Sequence, residues 1–280
     1  MSWDPSGYGS HIETGVVAPA TTWYLAEGST SGPFALFYLL QNPQATAVDA
    51  TVRYLRPFGL PPIEKVYTLA PFSRRTIVVD AEGAELASTD LSAVITAPMP
   101  IVAERAMYYS QPNQVFAAGH ESAGVTAPAL EWFLAEGATG TFFDLFVLIA
   151  NPNPSAPTRR YSTSTVAANS RSTIWVDDEQ LPAGSGQRPL ANASLSMTVR
   201  STNSVPIVVE RTMWWPGPAL TTNYWYEAHN SPGATATATR WLVAGAASGS
   251  ASGTQTYVLI ANPGTSPGQA RLSYLTADGH

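Results

Sequence analysis

Thr22-Trp23-Tyr24-Leu25-Ala26-Glu27-Gly28 returns as Glu131-Trp132-Phe133-Leu134-Ala135-Glu136-Gly137, and once more, without the acid, as Arg240-Trp241-Leu242-Val243-Ala244-Gly245-Ala246. Trp23, Trp132 and Trp241 stand 109 residues apart (132 − 23 and 241 − 132), and His11, His120 and His229 keep the same step. A fixed period carried by two independent landmarks reads as a tandem array of one supersecondary unit.

Outward from these strings, further pieces recur in register. Phe37-Tyr38-Leu39-Leu40-Gln41-Asn42-Pro43 is matched by Phe146-Val147-Leu148-Ile149-Ala150-Asn151-Pro152 and by Tyr257-Val258-Leu259-Ile260-Ala261-Asn262-Pro263. Pro100-Ile101-Val102-Ala103-Glu104-Arg105-Ala106-Met107 is matched by Pro206-Ile207-Val208-Val209-Glu210-Arg211-Thr212-Met213. The expected organisation is the tail of a preceding unit (1–20), repeat 1 (21–129), repeat 2 (130–238) and a partial repeat 3 (239–280). One irregularity breaks the period: Asn42 to Ser73 spans 31 residues but Asn151 to Ser170 only 19, a shortfall of 12. Repeat 2 therefore has no counterpart of the strand expected over Ala50 to Arg56.

Within each unit the pattern is that of strands. Thr51-Val52-Arg53-Tyr54-Leu55 and Arg271-Leu272-Ser273-Tyr274-Leu275 alternate, and Arg75-Thr76-Ile77-Val78-Val79 is rich in β-branched residues. Pro, Gly, Asn and Asp punctuate these runs, and nowhere is a helical period sustained. About seven short strands per ~105 residues predict an all-β fold of tandem immunoglobulin-like, Greek-key β-sandwich units, partial at both ends.

Composition agrees with a globular class. Charged residues are 12% of the 280 against 45% hydrophobic, so cores are affordable and the chain is not disordered. The net charge of −6 with scattered arginines offers no basic stripe, which excludes a nucleic-acid partner. With no cysteine there are no disulfides, thiolate metal sites or Cys nucleophiles. No apolar run reaches the ~18 residues of a membrane span. Met1-Ser2-Trp3-Asp4-Pro5 lacks the features of a signal peptide, so any leader is expected outside this sequence.

The Trp-Tyr-Leu-Ala-Glu-Gly string, Gln41-Asn42-Pro43, Ser73-Arg74, Val102-Ala103-Glu104-Arg105-Ala106-Met107 and Gly124-Val125-Thr126-Ala127-Pro128-Ala129 together resemble a tandem repeat of bacterial secreted and cell-surface proteins, a domain family of unknown function. The resemblance implies an extracellular or cell-surface module with no assigned catalysis. Gly245 and the shortened second unit depart from its pattern.

The residues that carry chemistry admit bland readings. Glu27, Glu136, Arg105 and Arg211 could clamp a ligand, but their recurrence suits an ion pair that locks one strand end against another inside each unit. His120 and His229 have no second histidine near them for a metal and are expected at the junction between units. Asp177-Asp178-Glu179 and Asp80 to Glu82 lack the alternating ligand spacing of a calcium loop; calcium is the lesser reading beside a solvated turn, and no other cofactor is expected. There is no Gly-x-Ser-x-Gly elbow, and an enzyme built on Glu136 with Arg211 is disfavoured because the third unit has lost the acid. Trp214, Trp215, Tyr224, Trp225 and Tyr226 are the candidate ligand-facing aromatics, while Trp23, Trp132 and Trp241 are expected as structural positions. The expected function is a non-catalytic structural or adhesive array, a stalk or fibre whose partners are neighbouring repeats or identical subunits. The alternative is a carbohydrate-binding module for surface glycans.

Overall fold

The computed structural model describes residues 13, 15–112, 114–154, 165–216, 225–243 and 256–274. The chain divides into two compact units, Met1–Thr237 and Ala238–His280. The segment expected as repeat 1 and, but for Ala238, that expected as repeat 2 lie in the first, and that expected as a partial third repeat lies in the second.

The first unit is built from antiparallel strands with no α-helix among the described residues. In chain order they are β1 (Ala20–Leu25), β2 (Phe34–Asn42), β3 (Val48–Leu55), β4 (Ile63–Leu69), β5 (Ser73–Val78), β6 (Ser92–Gln111), β7 (Gln114–Ala123), β8 (Glu131–Leu134), β9 (Asp144–Asn151), β10 (Ser170–Trp175), β11 (Met197–Arg200), β12 (Val208–Trp215) and β13 (Glu227–Pro232). This is the all-β sandwich expected from the alternation.

The long strand β6 organises the segment 21–129. Its first half pairs with β1 and β3, and β4 pairs with β3; its second half pairs with β2 and β7, and β5 pairs with β2. Between the halves the register against β1 jumps, from Thr22↔Thr96 to Ala20↔Ile101. Pro98 and Pro100 fall in that jump, where their missing N–H groups cost no ladder bond. One strand thus serves both layers, and Leu25, Leu36, Tyr38, Leu40, Val52 and Ile95 fill the space between them.

In 130–238 the order β10-β9-β12-β13 parallels β5-β2-β6-β7, and β11-β8 parallels the pairing of β6 with β1. No strand lies between β9 and β10 among the described residues, the place where β3 and β4 lie in the first segment. The open side is met in part by the first segment: Arg53 Nη2 donates to Pro152 O (2.7 Å), and Ser170 Oγ donates to Arg56 O (2.7 Å).

Recurring sequence gives recurring contacts. The indole N–H of Trp23 donates to Ile101 O and that of Trp132 to Ile207 O, each at 2.9 Å. Gly124 and Gly233 press against these rings: a Cβ on either would stand 3.3 Å or less from Trp23 Cε3 or Trp132 Cε3. Asn42, Asn151 and Asn262 each accept a backbone N–H two residues on, from Gln44, Asn153 and Gly264, an Asx turn that ends β2 and β9 in the first two cases.

Two expectations need correction. The segments do not close separate cores, because Trp214 and Ala228 pack into the first cluster and Ala26 into the second. Trp241 is 66% exposed where Trp23 and Trp132 are buried. The strand whose carbonyl accepts the indole in the first two cases, Pro-Ile-Val-x-Glu-Arg, has no counterpart in 239–280. For the same reason Tyr257 to Ile260, expected as a strand, lies exposed and outside any strand among the described residues of the second unit.

Candidate functional site

Glu27, Arg105 and His120, singled out in the sequence, converge on one place, the seam between 21–129 and 130–238, where Glu210, Thr212 and Asn230 join them. Glu27 follows β1, Arg105 lies on β6 and His120 on β7; Glu210 and Thr212 lie on β12 and Asn230 on β13. All six are buried.

Arg105 is the centre. Its Nη1 donates to Glu210 Oε2 at 2.7 Å and to Glu27 O at 3.0 Å, and its Nη2 stands 3.2 Å from Glu27 Oε2, within ion-pair range but off the hydrogen-bonding direction. Glu27 accepts from Thr212 Oγ1 (2.7 Å) and Asn230 Nδ2 (2.9 Å), with His120 Nε2 at 3.2 Å. The other oxygen of Glu210 accepts the backbone N–H of Ala26 at 2.8 Å. Arg171, also buried, donates to Gly28 O at 2.6 Å and stands 4.0 Å from Asp90 Oδ2, which brings a second guanidinium to the edge of the cluster.

The electrostatics follow from this packing. Burial alone would raise the Glu27 pKa, but His120, Arg105 and the Thr212 hydroxyl outweigh it and hold the carboxyl down at about 2. Burial works against the Arg105 charge too, yet Glu210 and Glu27 together raise its pKa. Such a carboxylate stays ionised across the physiological range with both oxygens taken, far from the pKa near 7 that suits a general acid or base. The arrangement holds two sheet edges together.

A sparser set recurs one period on. Arg211 Nη2 stands 2.8 Å from Glu136 Oε2 and 3.2 Å from His229 Nδ1. Burial of the ring, then Arg211 and His120, push the His229 pKa down to about 4.

The expectation that Glu27 and Arg105 form an ion pair wholly inside one unit is therefore corrected: Glu210 of the next segment completes it. Alternation on a strand carried the signal, because adjacent residues point to opposite faces. In Glu210-Arg211, as in Glu104-Arg105, the acid and the base cannot both face one core. Thr212, Asn230 and Arg171 were not singled out; each is an ordinary polar residue in a strand until its neighbour is known.

Among the aromatics, Trp214 is 2% exposed and packs on Phe34 (5.3 Å between centroids) and His120 (5.5 Å), so it is core and not ligand-facing. Every residue of β12 before Trp215 is buried, which leaves Trp214 no solvent side. Trp215, Trp225 and Tyr226 are half-buried, and Tyr224 lies outside the described residues. Trp225 borders a cleft of about 170 Å³ shared with Phe34, Phe146, Asp90 and Arg171. Its indole N–H donates to Asp144 Oδ2 at 2.6 Å, and its ring meets Trp214, Tyr109, Phe146 and Phe34.

Asp80 and Asp177, considered for calcium, instead accept the backbone N–H groups of Leu36 and Leu145, each at 2.9 Å. Among the described residues no three His, Asp or Glu side chains gather to hold a metal, and no helix is long and apolar enough to cross a membrane.

Fold and seam together define a class: an all-β sandwich protein whose two sequence segments are joined by a buried charge cluster. No protein-family model and no curated protein matches the chain. Among solved structures, Thermotoga maritima 1070 is similar at 12% identity and a TM-score of 0.36, over 39% of this chain and 96% of that one. The Anabaena sensory rhodopsin transducer is similar at 19% identity and a TM-score of 0.28, over 30% and 94%. At these scores neither likeness bears on function.

Proposed function

We propose that this chain is a non-catalytic stretch of an extracellular bacterial array, in which β-sandwich units locked end to end act as a stalk or adhesive fibre. The observation that carries the reading is the Glu27 carboxylate, held by Arg105 and His120 from its own segment and by Thr212 and Asn230 from the next. A dry, charge-balanced seam of this kind fixes the orientation of neighbours, which a spacer needs and a catalyst does not. The resemblance to secreted and cell-surface repeats supports the location.

The test is small-angle scattering on the chain and on versions lengthened by whole periods. A maximum dimension that grows in step with the number of periods is expected; a compact, isotropic profile would remove the proposal. The competing reading, a glycan-binding module, rests on the cleft beside Trp225. It is weakened by the four aromatic rings and the Asp144 carboxylate that already occupy that indole. Glycan-array binding lost in Trp225→Ala would restore it, and no binding to any glycan would end it.

A further inference from the structure

We infer that Ala135, Glu136, Arg211 and His229 are the open half of a second seam, completed by a β-sandwich unit that presents a carboxylate and a neutral amide donor as Glu210 and Asn230 do. The inference rests on the array reading and supplies the chemistry of the missing neighbour.

Position-by-position comparison carries it. Ala26 is fully buried with its N–H on Glu210, whereas Ala135, 109 residues on (135 − 26), is exposed. The Glu27 side chain is 4% exposed and that of Glu136 36%. Arg105 faces two carboxylates; Arg211 faces one. The Arg211 side chain is nonetheless only 4% exposed, and its buried Nη1 has no hydrogen-bond partner among the described residues. The pKa directions agree: burial lowers that of Arg211, because Glu136 alone does not offset the desolvation that Glu27 and Glu210 jointly overcome at Arg105. A guanidinium taken out of water with a donor idle is costly unless an acceptor arrives.

The occupied seam states what must arrive. One carboxylate has to bridge Arg211 Nη1 and the Ala135 N–H, as Glu210 bridges Arg105 and Ala26. A hydroxyl or amide has to donate to Glu136, as Thr212 and Asn230 do to Glu27. Gly137 O already accepts from Leu195 N (2.8 Å), as Gly28 O does from Leu91 N (2.9 Å), and Gly28 O takes Arg171 as well. The partner therefore carries an arginine for Gly137.

The chain's own upstream face does not fit this description. There Glu104 and Arg74 stand where Glu210 and Arg171 stand, but Ala106 replaces Thr212 and Glu121 replaces Asn230. Glu121 would place a second carboxylate against Glu136. The occupant is a unit of the repeat 2 kind.

Amide hydrogen exchange on the full chain tests this. The Ala26 amide is expected to exchange about 100-fold or more slowly than the Ala135 amide. In a chain with residues 130–238 duplicated in place and everything else retained, Ala135 of the first copy gains comparable protection, and Glu210→Gln in the added copy removes it. Ala135 exchanging at its original rate in a folded duplicated chain overturns the inference, as does equal protection of Ala26 and Ala135 in the original. A second measurement covers a duplicated chain that does not fold. Arg105→Met is expected to lower the melting temperature of the original chain and Arg211→Met to leave it unchanged or raise it; equal losses overturn the inference. Scattering that contradicts an elongated array would sink the array reading while leaving these exchange differences in place, so the two failures are separable.

Discussion

Glu27→Gln and Glu136→Gln are the same substitution at corresponding positions, and the structure expects different costs. At Glu27 the folded pKa of about 2 against an ordinary 4.5 corresponds to about 3 kcal/mol of stability at neutral pH, at ~1.4 kcal/mol per unit. Removing one partner from a buried ion pair costs about 3–5 kcal/mol by general experience, which agrees. The amide also turns an N–H donor toward Thr212 Oγ1 or Asn230 Nδ2, both of which donate to the carboxylate. Glu136, at 36% exposure, has solvent to replace part of what it loses, but its removal strips the buried Arg211 of its one carboxylate, so the cost is intermediate, about 1–2 kcal/mol. Because the Glu27 pKa is depressed on folding, its contribution is complete above about pH 4.5 and is lost as pH falls from there toward 2. Urea unfolding followed by tryptophan fluorescence, at pH 7 and near pH 3, measures both effects. Glu27→Gln should lose about 3 kcal/mol at pH 7 and less at pH 3, with Glu136→Gln losing clearly less than Glu27→Gln at pH 7. Equal losses for the two variants, or a Glu27→Gln deficit that ignores pH, would refute the assignment of the seam.

Three further outcomes are expected. Trp23→Phe and Trp132→Phe each forfeit a buried indole donor to a strand carbonyl and should cost about 2–4 kcal/mol in denaturant melts, while Trp241→Phe changes stability by less than about 0.5 kcal/mol. The His229 ring should titrate with a midpoint near 4 by proton NMR, below the ordinary 6.5; its depressed pKa removes stability as pH falls from about 6.5 to 4, and a midpoint at or above 6.5 would contradict the contact with Arg211. Gly119→Ala would put a methyl 2.4 Å from Tyr108 Cδ1 and 2.8 Å from Met107 O, so a drop of about 1–3 kcal/mol is expected in thermal or urea unfolding.

Much of this fold was legible because its signals are local. Alternation over Thr51 to Leu55 reports a strand whatever it pairs with, and Trp23 with Gly124, or Trp132 with Gly233, reports a ring against a backbone. The sequence also marked Glu27, Arg105 and His120 by repetition. It hid the fact that Glu104 and Glu210, matched in local string, have different surroundings: Glu210 has Ala26 and Arg105 to receive it, and Glu104 has its pKa raised by burial and by Glu121 beside it. Nor could Trp214 be told from a surface aromatic. Its burial depends on Phe34 and His120, which come from the other segment. Information of this kind resides in the neighbour and not in the string.

The Ala26–Glu210 and Glu27–Asn230 bonds close over sequence separations of 184 and 203 residues. A chain emerging from the ribosome N-terminus first makes Glu27 and Arg105 long before it makes Glu210, the second acid that Arg105 pairs with. Until residue 230 is out, Glu27 and Arg105 must stay hydrated, and loops this long close slowly. Maturation of the first sandwich is therefore timed by synthesis of the second, and a nascent chain stalled near position 200 holds a sheet edge that is wet, charged and unfinished.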